Sequence, residues 1–354
     1  MDPLLIFAQI LLGTLGVLGV AGSAPFDQPG LWLEQLRDVG FGLIIALIIS
    51  RIPPQRIAKV SPLAYGSVLL MLVLVLFIGV SPDGSESRRW LDLGIGTIQP
   101  SEFMKVTVIA YLAAFFFNHM GNWEIWRPML VIGLAAALIL IEPNVSTTAF
   151  VFGLALVIML AAGTRLARLA SITFSAALIA TLIAGPYLSS HPYVLNRIKA
   201  FGDTRGAQEF SDDLSYQSIK AQKTLIQAGF FGIGPGRPVR VPEAHTDLIA
   251  IAIGQALGFT GIGTLIFLFI VIAGRGIRIA SEHSGPGSLL AAGATAYICG
   301  QAALNLLVAS GLFPVTGVVL PFVSHGFNGL VSVSIAMGFL HSVYRQAKLE
   351  GASL

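Results

Sequence analysis

The chain has 354 residues, of which 55% are hydrophobic and only 11% charged, with 21 basic and 18 acidic side chains and a net charge of +3. A soluble surface needs roughly a quarter of its residues charged, so this composition excludes a soluble enzyme, a disordered chain and a disulfide scaffold, and Cys299 alone can form no internal disulfide. The small net charge, spread between apolar runs, gives no footing for nucleic acid.

Ten apolar segments follow one another along the chain, at about 3 to 20, 36 to 50, 61 to 80, 102 to 118, 128 to 142, 147 to 162, 169 to 188, 248 to 273, 288 to 310 and 328 to 344. Each approaches the length that an α-helix needs to cross a hydrocarbon core of about 30 Å. Barrel strands would instead alternate in short segments. The first segment lacks a basic leader region and is read as a span rather than a cleaved signal. The expected fold is an all-α integral membrane protein of about ten spans, a single polytopic membrane domain over 1–354 with a long extracytoplasmic loop at about 189–247 and no soluble domain at either end.

Basic residues set the orientation, because Lys and Arg beside span ends stay on the cytoplasmic side. With the N-terminus inside, ten fall in inner connections or the tail: Arg51, Arg56, Lys59, Arg127, Arg165, Arg168, Arg275, Arg278, Arg345 and Lys348. Only Arg37, Arg88 and Arg89 lie in or beside the short outer connections, while the long loop adds seven more that carry little topological weight. Fourteen of the eighteen acidic residues face outward. The expected topology is N-in and C-in.

Three outer segments are richer than connectors. From Ser85 to Lys105 the chain reads SESRRWLDLGIGTIQPSEFMK, with Trp90 among charges and a helix start at Pro100. Glu102 and Lys105 then share one helix face a turn into the span, where they can pair. A structural ion pair with an interfacial Trp is the plain alternative, but ionisable groups inside spans are costly and usually line functional cavities. The second segment is the hairpin from Glu142 to Thr148, EPNVSTT, for which a tight Pro-Asn turn is sufficient explanation on its own. The third is the long loop: an amphipathic stretch from Tyr216 to Ala228 containing Lys223, read as lying along the interface, then GFFGIGPGRP and VPEAHTD. The glycine-rich run lacks the Lys-Ser/Thr and preceding strand of a phosphate loop. Glu243, His245 and Asp247 fit no closed zinc spacing. A carboxylate at the edge of a low-dielectric cavity is a better general base, because desolvation raises its pKa toward working pH, and Asp247 stands where the chain re-enters the membrane.

These pieces resemble the SEDS family (shape, elongation, division and sporulation), which includes RodA and FtsW. The resemblance covers nearly the whole chain: RWLDLGIGTIQPSEFMK, the YQ and glycine-rich loop, PEAHTD, and Asn305 followed by GLFPVTG, Ser324, Gly326 and Asn328. It implies a ten-span peptidoglycan glycosyltransferase in a bacterial cytoplasmic membrane, acting at the outer face in cell elongation or division. Its implied partners are a class B penicillin-binding protein, lipid II and undecaprenyl lipid, and other elongasome or divisome membrane proteins, with a divalent cation (Mg2+ or Mn2+) and no organic cofactor.

Carried over residue by residue, the family's essential Asp matches Asp247, its cavity Glu and Lys match Glu102 and Lys105, and its loop Trp matches Trp90. Asn144, His245, Ser324, Arg88, Arg89 and Lys223 complete the expected substrate-binding or cavity set, with the metal ligands unassigned. Three positions depart from the family pattern: Asn144 and Ser146 in the hairpin, Gln255 and Ala256 in place of an acidic pair, and the Ser324 to Asn328 stretch, SHGFN. The implied reaction is attack of a N-acetylglucosamine C4 hydroxyl on C1 of N-acetylmuramic acid with inversion, Asp247 taking the proton and Lys105, Arg88, Arg89, Lys220 or Lys223 or the cation facing the diphosphate. A lipid II flippase and a non-catalytic scaffold are the competing readings. The geometric question is whether Glu102, Lys105, Asn144 and Asp247 converge on one outward-open cavity.

Overall fold

The computed structural model describes residues 1–24, 28, 30–81, 88–94, 96–119, 125–190, 213–239, 241, 244–283, 285–314 and 316–351. Eleven helices appear among them: α1 Pro3–Ser23, α2 Leu31–Ser50, α3 Pro54–Ile78, α4 Pro100–Asn118, α5 Trp126–Ile141, α6 Val145–Ala161, α7 Leu166–Ser190, α8 Asp213–Ala228, α9 Ile249–Glu282, α10 Pro286–Ala309 and α11 Phe327–Leu349. Ten of them coincide with the ten apolar segments, and α8 occupies the amphipathic stretch of the long loop. Helices α1, α3, α4, α7, α9, α10 and α11 are long and apolar enough to cross a membrane by themselves. Helices α5 and α6 are shorter, at 16 and 17 residues, and α2 carries Glu34, Arg37 and Asp38 in its first half. The protein is a multi-pass, all-α membrane protein.

Observed helix ends differ from the apolar boundaries where polar residues continue the helix. Pro at the first turn starts α1, α3, α4 and α10, where its fixed φ suits helix entry and no N–H is missed. Helix α9 runs on past the apolar stretch through Arg275 and Arg278 to Glu282, with Arg278 and Glu282 paired at 2.8 Å. The segment before α4 holds a short hairpin that composition did not predict: β1 Leu91–Asp92 pairs antiparallel with β2 Thr97–Ile98. Its turn is closed by the Asp92 carboxylate accepting from Gly94 N–H at 2.8 Å. Gly94 has φ +78, a conformation that costs glycine nothing.

Helix α4 lies at the centre, packed against α3, α6, α10 and α11, and α11 has the largest buried share of the seven long apolar spans. Helix α7 has almost no buried surface and touches chiefly α6. At the end of the bundle opposite the β hairpin, Asp2 caps α1 by accepting from Leu4 N–H and Leu5 N–H, and it takes a second pair of bonds from the Arg275 guanidinium. Its own N–H donates to His341 Nδ1 at 3.2 Å. One fully buried carboxylate thus joins α1, α9 and α11, a geometry in which an ion pair is costly to break rather than a net source of stability.

Candidate active site

Three layers of polar groups meet at the hairpin end of the bundle. The deepest is on α4, where Lys105 Nζ donates to Glu102 Oε1 at 2.7 Å and to Gln301 Oε1 of α10 at 2.9 Å. Lys105 lies 5.5 Å from the Tyr297 ring centroid and 5.8 Å from that of Phe150, so two aromatic faces share its charge. Gln301 passes the connection on by donating to Val319 O at 2.9 Å. Ser332 of α11 donates to Glu102 O at 2.7 Å. The second carboxylate oxygen of Glu102, Oε2, is buried without a hydrogen-bond partner. Both charged side chains are nearly enclosed, and a pair so desolvated holds only with good geometry and extra hydrogen bonds.

The middle layer joins two loops. Asn305 Nδ2 donates to the carbonyls of Asp247 and Val318, each at 2.7 Å. Ser324 Oγ donates to Thr246 O at 2.6 Å and accepts from Leu320 N–H at 2.7 Å. His325 N–H donates to His245 O at 2.9 Å, and the two imidazole rings lie 6.4 Å apart. Burial, then the neighbouring His245, hold the His325 imidazole below its ordinary pKa. Gln35 of α2 ties the back of this layer, donating to the Val323 and Ser324 carbonyls and facing His325 Nδ1 at 3.3 Å. The Asp247 side chain is half-buried.

The third layer is the rim. Arg89 donates through Nε to Glu142 O at 2.9 Å and through Nη2 to Pro143 O at 2.7 Å, clamping the α5–α6 hairpin. Asn144 caps α6 by accepting from Thr147 N–H at 3.3 Å. Arg89, Pro143 and Asn144 open onto a cavity of about 560 Å³ between α6 and α10, whose walls are apolar: Val145, Phe150, Leu154, Val157, Ala296, Leu304 and Val318 among others. A cavity of that size, mostly apolar with one cationic edge, suits a molecule with a hydrocarbon body and an anionic head.

The four residues asked to converge are arranged in series. Asn144 lines the cavity; Lys105 sits behind its Phe150 wall; Asp247 is not among the described lining residues but is bonded through Asn305 to Val318, which is. Arg88 is exposed beside Arg89, and Trp90 is half-buried and bridged to Val80. Lys223 is exposed on α8 and lines no described cavity. Glu243, together with Ser85, Glu86 and Ser87 and most of the long loop's first part, lies outside the described residues. Asn328 Nδ2 donates to Thr97 O at 3.0 Å, fastening β2 to α11.

Two of the three departures have a structural account. Gln255 donates to Arg237 O at 3.3 Å, while its carbonyl and that of Ala256 accept from Ile233 and Gly234, so the glycine-rich loop docks on α9 by main-chain bonds that need no carboxylate. Gly258 sits there at φ +65, and a Cβ on it would collide with Gly232. In the hairpin, the cap at Asn144 needs only a side-chain oxygen, which Asn supplies as well as Asp.

Sequence reasoning missed Gln301 and Glu142 as site residues and took Asn305 only as part of a signature. A signal was present for the first, since Gln301 and Asn305 stand four apart on one face of an apolar span.

The family model described as cell cycle protein, FtsW/RodA/SpoVE, matches residues 3–349. This chain belongs to the FtsW/RodA/SpoVE family. It is similar to the stage V sporulation protein E of Bacillus subtilis (strain 168), at 33% identity over 98% of both chains. It is also similar to a probable peptidoglycan glycosyltransferase FtsW of Thioalkalivibrio sp. (strain K90mix), at 31% identity over 98% of this chain and 90% of the relative. Among solved structures, a chain from work on the structural coordination of polymerization and crosslinking by a peptidoglycan synthase complex superposes with a TM-score of 0.81 at 26% identity over 98% of both chains. The rod shape determining protein RodA of Thermus thermophilus, at 23% identity and a TM-score of 0.71, shares the fold. The match to the FtsW/RodA/SpoVE family spans residues 3–349, so all three polar layers lie within the family region.

Proposed function

We propose that this FtsW/RodA/SpoVE member is an inverting peptidoglycan glycosyltransferase that polymerises lipid II at the outer face of the bacterial cytoplasmic membrane. The observation that carries it is the seating of the Asp247 loop against an apolar cavity edged by Arg89, with Asn305 bonded at once to Asp247 O and to the cavity residue Val318. Relatives named as probable peptidoglycan glycosyltransferases support the same chemistry. The distribution of basic residues supports an N-in, C-in topology that puts these layers outside.

In this reading the isoprenoid lies along the cavity and the bilayer, and the diphosphate meets Arg89. The half-buried Asp247 carboxylate takes the proton of the attacking hydroxyl, a role that supplies about 10² to 10⁴ in rate. The divalent cation implied by the family finds no ready cradle: among the described residues, no three of His, Cys, Asp and Glu are gathered as ligands. A class B penicillin-binding protein is the proposed partner, in keeping with the peptidoglycan synthase complex to which the fold is similar.

The test is polymerisation of purified lipid II by the chain with that partner. Asp247→Ala is expected to lose about 10² to 10⁴ of the rate while its melting temperature stays near that of the wild type. Full polymerisation by Asp247→Ala sinks the base assignment, and none by the wild type favours a transporter or scaffold.

A further inference from the structure

Glu142 is an acid whose surroundings are not those of a structural turn. It ends α5 at the hairpin, is 2% exposed, and both of its carboxylate oxygens are buried without a hydrogen-bond partner. The chain solvates other buried acids: Asp2 has two N–H donors and Arg275, and Glu102 has Lys105. Glu142 has no such donor among the described residues; Arg89, whose guanidinium is fixed on the Glu142 and Pro143 main-chain carbonyls and forms the cationic edge of the cavity, lies within electrostatic reach of its carboxyl. Among the described residues, Tyr187 of α7 is a further titratable group within electrostatic reach of Arg89, and its hydroxyl donates to Leu140 O at 3.1 Å.

An unsolvated carboxyl keeps its proton. Burial pushes Glu142 up to about 8, with the Arg89 charge pulling the other way. As a neutral acid it adds no negative charge to the Arg89 edge of the cavity; once ionised, it sets a negative charge near the guanidinium and cancels part of its attraction for an anion.

We propose that Glu142 is a positioning residue that, held as a neutral acid near Arg89, keeps the cavity rim cationic toward an isoprenoid diphosphate and releases that hold when it ionises. This rests on the function proposed above, and it assigns a role to an acid two residues before the hairpin position where the family's usual Asp is replaced by Asn144. By linkage, a diphosphate bound at Arg89 also favours the protonated acid.

The experiment measures binding of undecaprenyl diphosphate to the purified full chain in detergent, with undecaprenol as the uncharged control, at about pH 7.5 and about pH 9.5; the last phosphate pKa is about 6, so the diphosphate is already mostly ionised at the lower pH and its remaining ionisation would strengthen binding rather than weaken it. Wild-type affinity for the diphosphate is expected to fall about three- to fivefold across that window, the size of one partly solvated charge pair. Glu142→Gln, and Glu142→Met as an apolar second variant, are expected to hold the lower-pH affinity throughout, and undecaprenol binding is expected not to change. In lipid II polymerisation the same contrast appears in KM and not in kcat. The proposal is overturned if either folded variant keeps the wild-type fall, or if undecaprenol affinity falls with it. Polymerisation with no such contrast leaves the glycosyltransferase reading standing and removes this one; a contrast in diphosphate binding without polymerisation does the reverse.

Discussion

The side-chain amide of Asn305 donates to the main-chain carbonyl of Asp247 at 2.7 Å and, with the same nitrogen, to that of Val318 at 2.7 Å. A residue in the last two turns of α10 thereby fixes the loop that carries the proposed base against the loop that walls the cavity. Asn305→Ala removes both bonds and leaves two carbonyls unsatisfied in a half-buried place. The expected stability loss is about 1 to 3 kcal/mol, and the expected rate loss is about 10²-fold, since a shift of about 1 Å in a reacting group has that effect. Lipid II polymerisation and thermal unfolding of the same preparation check both; a variant with full activity would show that Asp247 is held by other contacts.

Lys105 and Glu102 are enclosed in a pair that is destabilising to break and of little net benefit to keep. Lys105→Met is expected to cost about 3 to 5 kcal/mol by leaving Glu102 buried without its cation. Adding Glu102→Gln should recover much of that loss, because the uncompensated charge is then gone. Thermal unfolding of the single and double variants in one detergent measures the difference, and equal melting temperatures would mean that water reaches the pair.

Glu142 gives the fold a pH dependence whose sign can be worked out. Its folded pKa, about 8, lies above the ordinary carboxylate value of 4.5, so between those values the folded state holds a proton that the unfolded state has released. Stability from this group is complete below about 4.5 and declines as pH rises through about 8, after which it falls no further. Wild-type melting temperature is expected to drop over that window, and Glu142→Gln is expected to flatten the drop. Parallel curves for the two proteins would place the titration elsewhere.

The sequence by itself determined that the chain lives in a membrane, where its spans fall and which residues are unusual. Scarcity of charge made this legible: in a chain with so few ionisable groups, Glu102, Lys105 and Asp247 stood out by type and position, and the helix face shared by Glu102 and Lys105 followed from their spacing of three. The amphipathic α8 was legible for the same reason of period. What local pattern could not contain is the partnering across the chain. Lys105 meets Gln301 across 196 positions, and Arg89 reaches the Glu142 carbonyl across 53. Nor could it show that Glu142, an ordinary acid in a turn by sequence, is sealed from water, because burial is a property of what packs around a residue. Helix ends were displaced where polar residues extended a helix beyond its apolar stretch, and the small hairpin before α4 depended on glycine φ values that composition does not specify. Only the tertiary structure decided that Asn144 lies on the cavity wall, Lys105 behind it and Asp247 beside it, since that order is set by how α4, α6 and α10 pack and not by any one of their sequences.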